Sequence, residues 1–245
     1  MGSVDRLDKD VNRAFYNEQR LSERQRFVQE ASKVHASELL VPWIVSHLRA
    51  GERMLDIAGG AGTYASQIVR SLPVSVVGLD ISESMVEQRG EDPLLTENVV
   101  GDMEALPFDD ATFDAALFAA CLHHVPDPLP ALREAWRVVR PGGRVFAFEP
   151  SSIRAIRAGT LAIPEHQHEF RMSGRGLAER MGDAGFEVEE MRGRRIAIKA
   201  LRRLERSPSL AMFHAGDAVD RALRLLPGVE QLGEIVMLRA RKPAQ

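Results

Sequence analysis

The chain contains several polar groups, each placed at the end of an apolar run. The first is Leu55-Asp56-Ile57-Ala58-Gly59-Gly60-Ala61-Gly62, an acid followed by three glycines within four residues. Glycine loses the most backbone freedom on folding, so this density suits only a tight turn or a close approach to a ligand. An apolar strand, a glycine loop and a following helix together make a nucleotide-type cofactor site. The second is Asp80, about 20 residues after the loop, where an acid can accept hydrogen bonds from two ribose hydroxyls. The third is Gly101-Asp102-Met103, whose carboxylate can accept from an adenine amino group. The fourth is Ala119–His124, which ends in two adjacent histidines. An unperturbed imidazole titrates near pH ~6.5, which suits a general base toward a phenol or a similar acid.

The elements that must position these groups follow from periodicity. Residues 5–50 read as helices, with Leu39, Leu40, Trp43, Ile44 and Leu48 on one face. From residue 53 the pattern becomes strand, loop and helix in repeated units. Strands are expected at Met54–Ala58, Val74–Leu79, Asn98–Val100, Phe113–Ala119 and Arg144–Phe148. Helices are expected from Gly62 to Ser71, after Ser82 or Ser84, and from Leu129 to Val139. Ser84 and Glu87 have capping-box spacing. The run Phe113–Ala119 is apolar almost throughout, as in a strand buried on both faces of a parallel sheet. Alternating strands and helices imply right-handed crossovers and a doubly wound α/β sheet, which gathers all four groups at its carboxyl edge. After Pro150 the rhythm breaks. Residues 151–190 read as a cap inserted over that edge, including a helix near Gly174–Ala184, and Arg194–Ile198 and Ile235–Ala240 as two further strands.

The loop lacks the G-x-G-x-x-G/A spacing that closes a helix onto a pyrophosphate, so a ligand with adenosine but no phosphates fits better than a dinucleotide. S-adenosylmethionine is such a ligand. In order and spacing, LDIAGGAG, VVGLDIS, VGDMEALPFDDATFD, ACLHHVPDP and LREAWRVVRPGGRV, spanning Leu55 to Pro150, resemble the class I S-adenosylmethionine-dependent methyltransferases. The similarity is to the small-molecule group related to ubiquinone and menaquinone C-methyltransferases.

This resemblance implies a seven-stranded, mostly parallel Rossmann-like sheet. The lid would be residues 1–50, the cofactor core 51–150, the cap 151–190, and the strands and helix completing the sheet 191–245. It places Asp56, Ala58, Gly59, Gly60 and Gly62 at the methionine end of the cofactor, and Asp80 with Ile81 at the ribose. Asp102 and Met103 fall at adenine, backbone near Ala119 at the sulfonium, and Tyr16 in the lid.

His123 and His124 stand where a base would lie, although in such proteins the pair also serves to orient the loop. His166 and His168, in Pro164-Glu165-His166-Gln167-His168, would share one strand face if extended and so could contact substrate. No third ligand has metal-site spacing, and no metal is expected.

Composition narrows the function classes. A net charge of -3 argues against a nucleic-acid binder. Arg192, Arg194, Arg195, Arg202, Arg203 and Arg206 are explained by alternating strand positions and an exposed helix face. A single cysteine, Cys121, suits a reducing cytoplasm, and it has no neighbour that would make it a nucleophile. No run approaches the roughly 20 apolar residues of a membrane span, and the polar N-terminus has no signal-peptide core.

The expectation is a cytoplasmic monomer or homodimer that methylates a small molecule at a hydroxyl. Two other readings keep the same motifs: a non-methylating reaction such as cyclisation on the same scaffold, and a cofactor-binding regulatory module without turnover.

Overall fold

The computed structural model describes residues 34, 36–151, 160–163, 166–194, 210–223 and 233–244. Helix α1 covers 36–45. It is followed by β1 (Arg53–Ile57), α2 (Thr63–Ser71), β2 (Ser75–Asp80), α3 (Glu83–Gly90), β3 (Glu97–Val100) and β4 (Phe113–Ala119). A 3-10 turn at Leu122–His124 leads to α4 (Leu129–Val138) and β5 (Val139–Pro150). Then come β6 (Thr160–Ile163), β7 (His166–Met172), α5 (Gly174–Asp183), β8 (Glu187–Arg194), α6 (Leu210–Leu223) and β9 (Ile235–Arg241).

Seven strands form one sheet in the order β3-β2-β1-β4-β5-β9-β8. The pairs among β1 to β5 are parallel, and β9 runs antiparallel to both β5 and β8. This is the doubly wound, mostly parallel sheet expected from the sequence. Alternating side chains fill a layer on each face. Leu55, Ile57, Val77, Leu79 and Phe118 pack with Leu132 and Ala135 of α4 and with Leu177 and Met181 of α5. Met54, Val76, Leu117 and Phe146 pack with Ala65 and Ile68 of α2 and with Leu40, Trp43 and Ile44 of α1. Trp43 meets Phe146 edge-on at 5.3 Å and donates from its indole N–H to Glu190 of β8 at 3.1 Å, tying α1 across the sheet.

Several boundaries differ from expectation for identifiable reasons. The described β8 strand is Glu187–Arg194; of the strand expected at Arg194–Ile198, residues 195–198 lie outside the described residues. Its register against β9, from Glu187↔Arg241 to Arg194↔Ile235, uses the whole of β9. The sequence signal was obscured because β8 is an edge strand whose acids pair with Arg239 and Arg241. The helix α5 and the start of β8, expected within the inserted cap 151–190, are part of the main fold. Between β5 and α5, the described residues of the segment form the antiparallel β6–β7 hairpin. Helix α3 is capped by Ser82, whose hydroxyl accepts from Met85 N–H, and not by the Ser84–Glu87 box. The Arg140–Gly143 turn bulges within one long β5, so that Phe113 pairs Val139 while Ala115 already pairs Arg144. Tyr16 and most of the expected N-terminal lid lie outside the described residues.

Candidate active site

The carboxyl ends of β1, β2, β4 and β5 bring the expected groups to one edge, joined there by the loop after β3. Ala58, Gly60 and Gly62 all have positive φ (51°, 53° and 77°), so the loop after β1 coils tightly into α2. Asp80 holds it there: one carboxylate oxygen accepts from Gly60 N–H at 2.8 Å and the other from Ser82 N–H at 2.9 Å. Burial pushes the Asp80 carboxyl above its ordinary range, although those two N–H bonds pull it down. Ile81 follows, half-buried, beside the buried Ser82.

The glycines serve different purposes. A Cβ on Gly59 would lie 2.2 Å from Asp56 Oδ2, and one on Gly62 would lie 2.5 Å from Leu95 Cδ1 and 2.9 Å from Arg89 Nη1. Those two positions exclude side chains because of what packs beneath the loop. A Cβ on Gly60 would meet only Met85 Sδ, at 4.0 Å, so the space beside it is open.

Asp56, expected among the cofactor's contacts, is instead 1% exposed and lies under the loop. It accepts from Arg89 Nη1 at 2.7 Å, and Arg89 is itself 1% exposed. The Arg89 side chain crosses β2 at Gly78, where a Cβ would sit 2.0 Å from its Nε, and donates from Nε to Asn98 of β3 at 2.7 Å. A single buried guanidinium thus joins three strands beneath the loop. Sequence reasoning missed it, because an arginine in α3 reads as a solvated residue.

The third group lies in a loop fixed by two residues of α4. Asp102 accepts from Glu104 N–H at 2.9 Å, and Met103 packs partly into the core. Farther along, Leu106 N–H donates to Glu134 at 2.8 Å. Arg137 donates to the carbonyls of Leu106 at 2.9 Å and Phe108 at 2.7 Å. The hydrogen bonds from Arg137 hold the Glu134 carboxyl below its usual range. Their i, i+3 spacing on α4 was the available signal.

At the end of β4, Ala119 pairs Phe148 of β5, and Ala120 takes a positive φ of 58° to start the 3-10 turn. His123 is buried, with Nδ1 2.9 Å from Glu149 Oε2. The other oxygen of Glu149 accepts from the backbone N–H groups of Cys121 and Leu122, each at 2.9 Å. His124 is half-buried and its ring centroid lies 4.0 Å from that of His123. Glu149 was also missed in the sequence, although a lone acid closing the apolar run Val145–Phe148 was visible. Burial pushes the Cys121 thiol well above its ordinary range, and Glu149, Asp56 and Asp80 push the same way. Cys121 is therefore held as a neutral thiol, and carboxylates from three strand ends act on one small volume.

A narrow cleft beside this pair is lined by Leu122, His123, Glu149, Met172, Leu177 and Val236. His166 and His168 fall in β7. Met172, at the end of β7, bridges to Ser151 just past β5, so the hairpin stands next to the site. Among the described residues no cluster of three or more His, Cys, Asp or Glu could hold a metal, and no helix is long and apolar enough to cross a membrane. Arg192 of the arginine cluster is paired with Glu190. Arg195, Arg202, Arg203 and Arg206 lie outside the described residues.

Comparison with known proteins decides the family of this core: a methyltransferase domain matches residues 55–147. The core is a class I S-adenosylmethionine-dependent methyltransferase domain. The chain is 33% identical over 154 residues to the ubiquinone/menaquinone biosynthesis C-methyltransferase UbiE of Roseobacter denitrificans, covering 60% of this chain and 58% of the relative. It is 35% identical over 149 residues to the 27-O-demethylrifamycin SV methyltransferase of Amycolatopsis mediterranei, covering 52% and 55%. The chain spans about half the length of the curated relatives it matches. The solved structure of the [4+2]-cyclase SpnF shares the fold over 97% of each chain, at 18% identity and a TM-score of 0.64.

The residues of the methyltransferase domain fit its cofactor. The open side of Gly60 leaves room beside the Asp80 carboxylate. Helix α2 begins at Gly62 with no side-chain cap, so its first N–H groups and its positive end can receive a carboxylate. The carboxylates acting on Cys121 favour a cation nearby.

Proposed function

We propose that this protein transfers the methyl group of S-adenosylmethionine to a hydroxyl of a small metabolite, with His123 accepting the hydroxyl proton. The cofactor supplies a methyl carbon activated by positive sulfur. The chain then has to bind it, align the acceptor, exclude water and take up a proton. Alignment of this kind is worth about 7–11 kcal/mol.

Asp80 and Ile81 hold the ribose, Asp102 and Met103 the adenine, and Ala58, Gly59, Gly60 and Gly62 the methionine end. Asp56 supports that loop from beneath. Backbone near Ala119 lines the sulfonium side, Tyr16 belongs to the lid, and His166 and His168 contact the acceptor from the hairpin. His124 lies against the base, its ring tilted by 42° from that of His123.

The observation that carries this reading is the buried His123, whose Nδ1 is held by Glu149 at 2.9 Å at the edge where the cofactor loop ends. A nucleophile that must lose a proton needs such a group, whereas a tertiary amine would not. A relative named for an O-demethyl compound supports the same direction.

The test is incubation with cofactor labelled in its methyl group and a panel of phenols and hydroxylated metabolites. The expected product carries the label and appears with an equal amount of S-adenosylhomocysteine. His123→Gln should slow the reaction about 10²–10⁴-fold. A transformed acceptor without label and without S-adenosylhomocysteine would overturn the reading in favour of a non-methylating reaction such as cyclisation.

A further inference from the structure

We infer that Glu149 is a positioning residue that fixes the tautomer of His123 and keeps its Nε2 lone pair available. This rests on the proposed role of His123 as base and extends it to a residue that would not itself touch the acceptor.

The argument begins with donors and acceptors. An ionised carboxylate can only accept, so the 2.9 Å contact between Glu149 Oε2 and His123 Nδ1 requires the proton on Nδ1. The neutral ring then carries its lone pair on Nε2. Without such a partner the imidazole exchanges between two tautomers, one of which presents N–H where a base is needed.

Glu149 is itself held independently of the histidine. Its Oε1 accepts from two consecutive backbone N–H groups, Cys121 and Leu122, at 2.9 Å each. Glu149 is only 3% exposed, so these backbone groups and the histidine are the partners its oxygens meet. The strand places the acid and the turn fixes its orientation, so the histidine meets a ready-made acceptor.

The same arrangement manages charge. When the base takes a proton, the resulting imidazolium lies against a carboxylate, and the buried pair is neutral overall. No oxidant or further reactant would be needed. The proton would pass from the acceptor hydroxyl to Nε2 as oxygen bonds to the methyl carbon, the carbon–sulfur bond breaks with its electron pair staying on sulfur, and neutral S-adenosylhomocysteine leaves.

Glu149→Gln tests this because it preserves shape while reversing the hydrogen bond. The amide oxygen can keep the two backbone N–H donors, while its NH₂ donates to Nδ1 and forces the ring proton onto Nε2. The measurement is long-range proton–nitrogen NMR of the full chain labelled at histidine, with His123→Gln used to assign the signals. S-adenosylhomocysteine titration serves as a check that the folded site survives.

The wild-type His123 is expected with its proton on Nδ1, and the Glu149→Gln chain with it on Nε2. In turnover, Glu149→Gln should lower kcat about 10²–10⁴-fold with little change in acceptor KM, while Glu149→Asp restores part of it. A wild-type proton on Nε2, or the same tautomer in both chains, would overturn the inference. Should Glu149→Gln fail to bind S-adenosylhomocysteine, the wild-type tautomer alone decides. The tautomer shift together with undiminished turnover would leave Glu149's grip on the ring standing and overturn His123 as base.

Discussion

The two halves of the site are built on different principles. On the β1–β3 side, the loop is shaped by backbone: positive φ at three residues, two N–H bonds to Asp80, and glycines that let the chain lie on Asp56, Arg89 and Leu95. On the β4–β5 side, the proposed chemistry depends on one side-chain pair, His123 and Glu149, drawn from different strand ends. A backbone-built site binds the same cofactor whatever the acceptor, and its tolerance for change is low. A side-chain pair beside a separate hairpin can be altered without rebuilding the sheet. On the proposed reading, the fold keeps donor binding and acceptor choice on different elements.

The comparison breaks most severely at the buried ion pair. Arg89→Met leaves Asp56 charged and unpaired in the core, and should cost about 3–5 kcal/mol in denaturant unfolding. The double variant Asp56→Leu/Arg89→Met removes both charges and should recover a large part of that loss. If the single variant were as stable as wild type, the pair would not be the support of the loop. On the other half, Glu149→Gln should leave the unfolding midpoint much nearer to wild type.

Two neighbouring glycines sharpen the same contrast. Gly59→Ala drives a Cβ to 2.2 Å from a buried carboxylate and should destabilise the protein before any ligand is added. Gly60→Ala meets open space and costs about 1 kcal/mol for its positive φ. Its main effect should be a weaker affinity for S-adenosylhomocysteine, read by calorimetry. Equal losses of stability in both variants would show that the loop has no distinct inner and outer side.

Asp80 links binding to pH. Burial raises its pKa above the ordinary carboxyl value of 3.8, while in the proposed binding mode ribose hydroxyls would donate to the ionised form. Cofactor binding therefore releases a proton from any protonated Asp80. Affinity should be flat at neutral pH and fall as pH drops through the raised pKa. Asp80→Asn should lose about 10–100-fold in affinity, from weakened charge-assisted hydrogen bonds, and should also lose this part of the pH slope. A wild-type affinity that stays constant down to the ordinary carboxyl range would remove Asp80 from the binding site.

The donor half was legible in the sequence because its signals are local. The glycine loop, Asp80 and Asp102 each end an apolar run, and Phe113–Ala119 emerged with the expected bounds. What stayed hidden was non-local. Arg89 lies on a helix and is buried only because Gly78 opens a path through β2. Glu149 becomes meaningful only when β5 lies next to β4 and the turn after β4 folds back onto it. β8 could not be placed from its own pattern, since its glutamates are satisfied by arginines of β9, which lies beyond α6 in the chain.

The smallest expected effect concerns a choice the sequence left open between two serines two residues apart. A capping box at Ser84 and Glu87 would start α3 later than it starts. In the fold Ser82 has extended backbone (φ -90°, ψ 115°) and its hydroxyl accepts from Met85 N–H at 3.4 Å, while Ser84 is already helical. Asp80 decides between them, because its carboxylate captures Ser82 N–H and turns the chain immediately after β2. The long capping bond places Ser82→Ala at the low end of the range for a lost cap, about 0.5–1 kcal/mol. Ser84→Ala removes an exposed hydroxyl that lies 3.0 Å from Ser82 Oγ, and should change stability by less than about 0.5 kcal/mol. Thermal unfolding of the two single variants separates the alternatives. A larger loss at Ser84 would mean that the local box, and not the acid at the strand end, sets where α3 begins, and would weaken the case that Asp80 organises the turn beside the ribose.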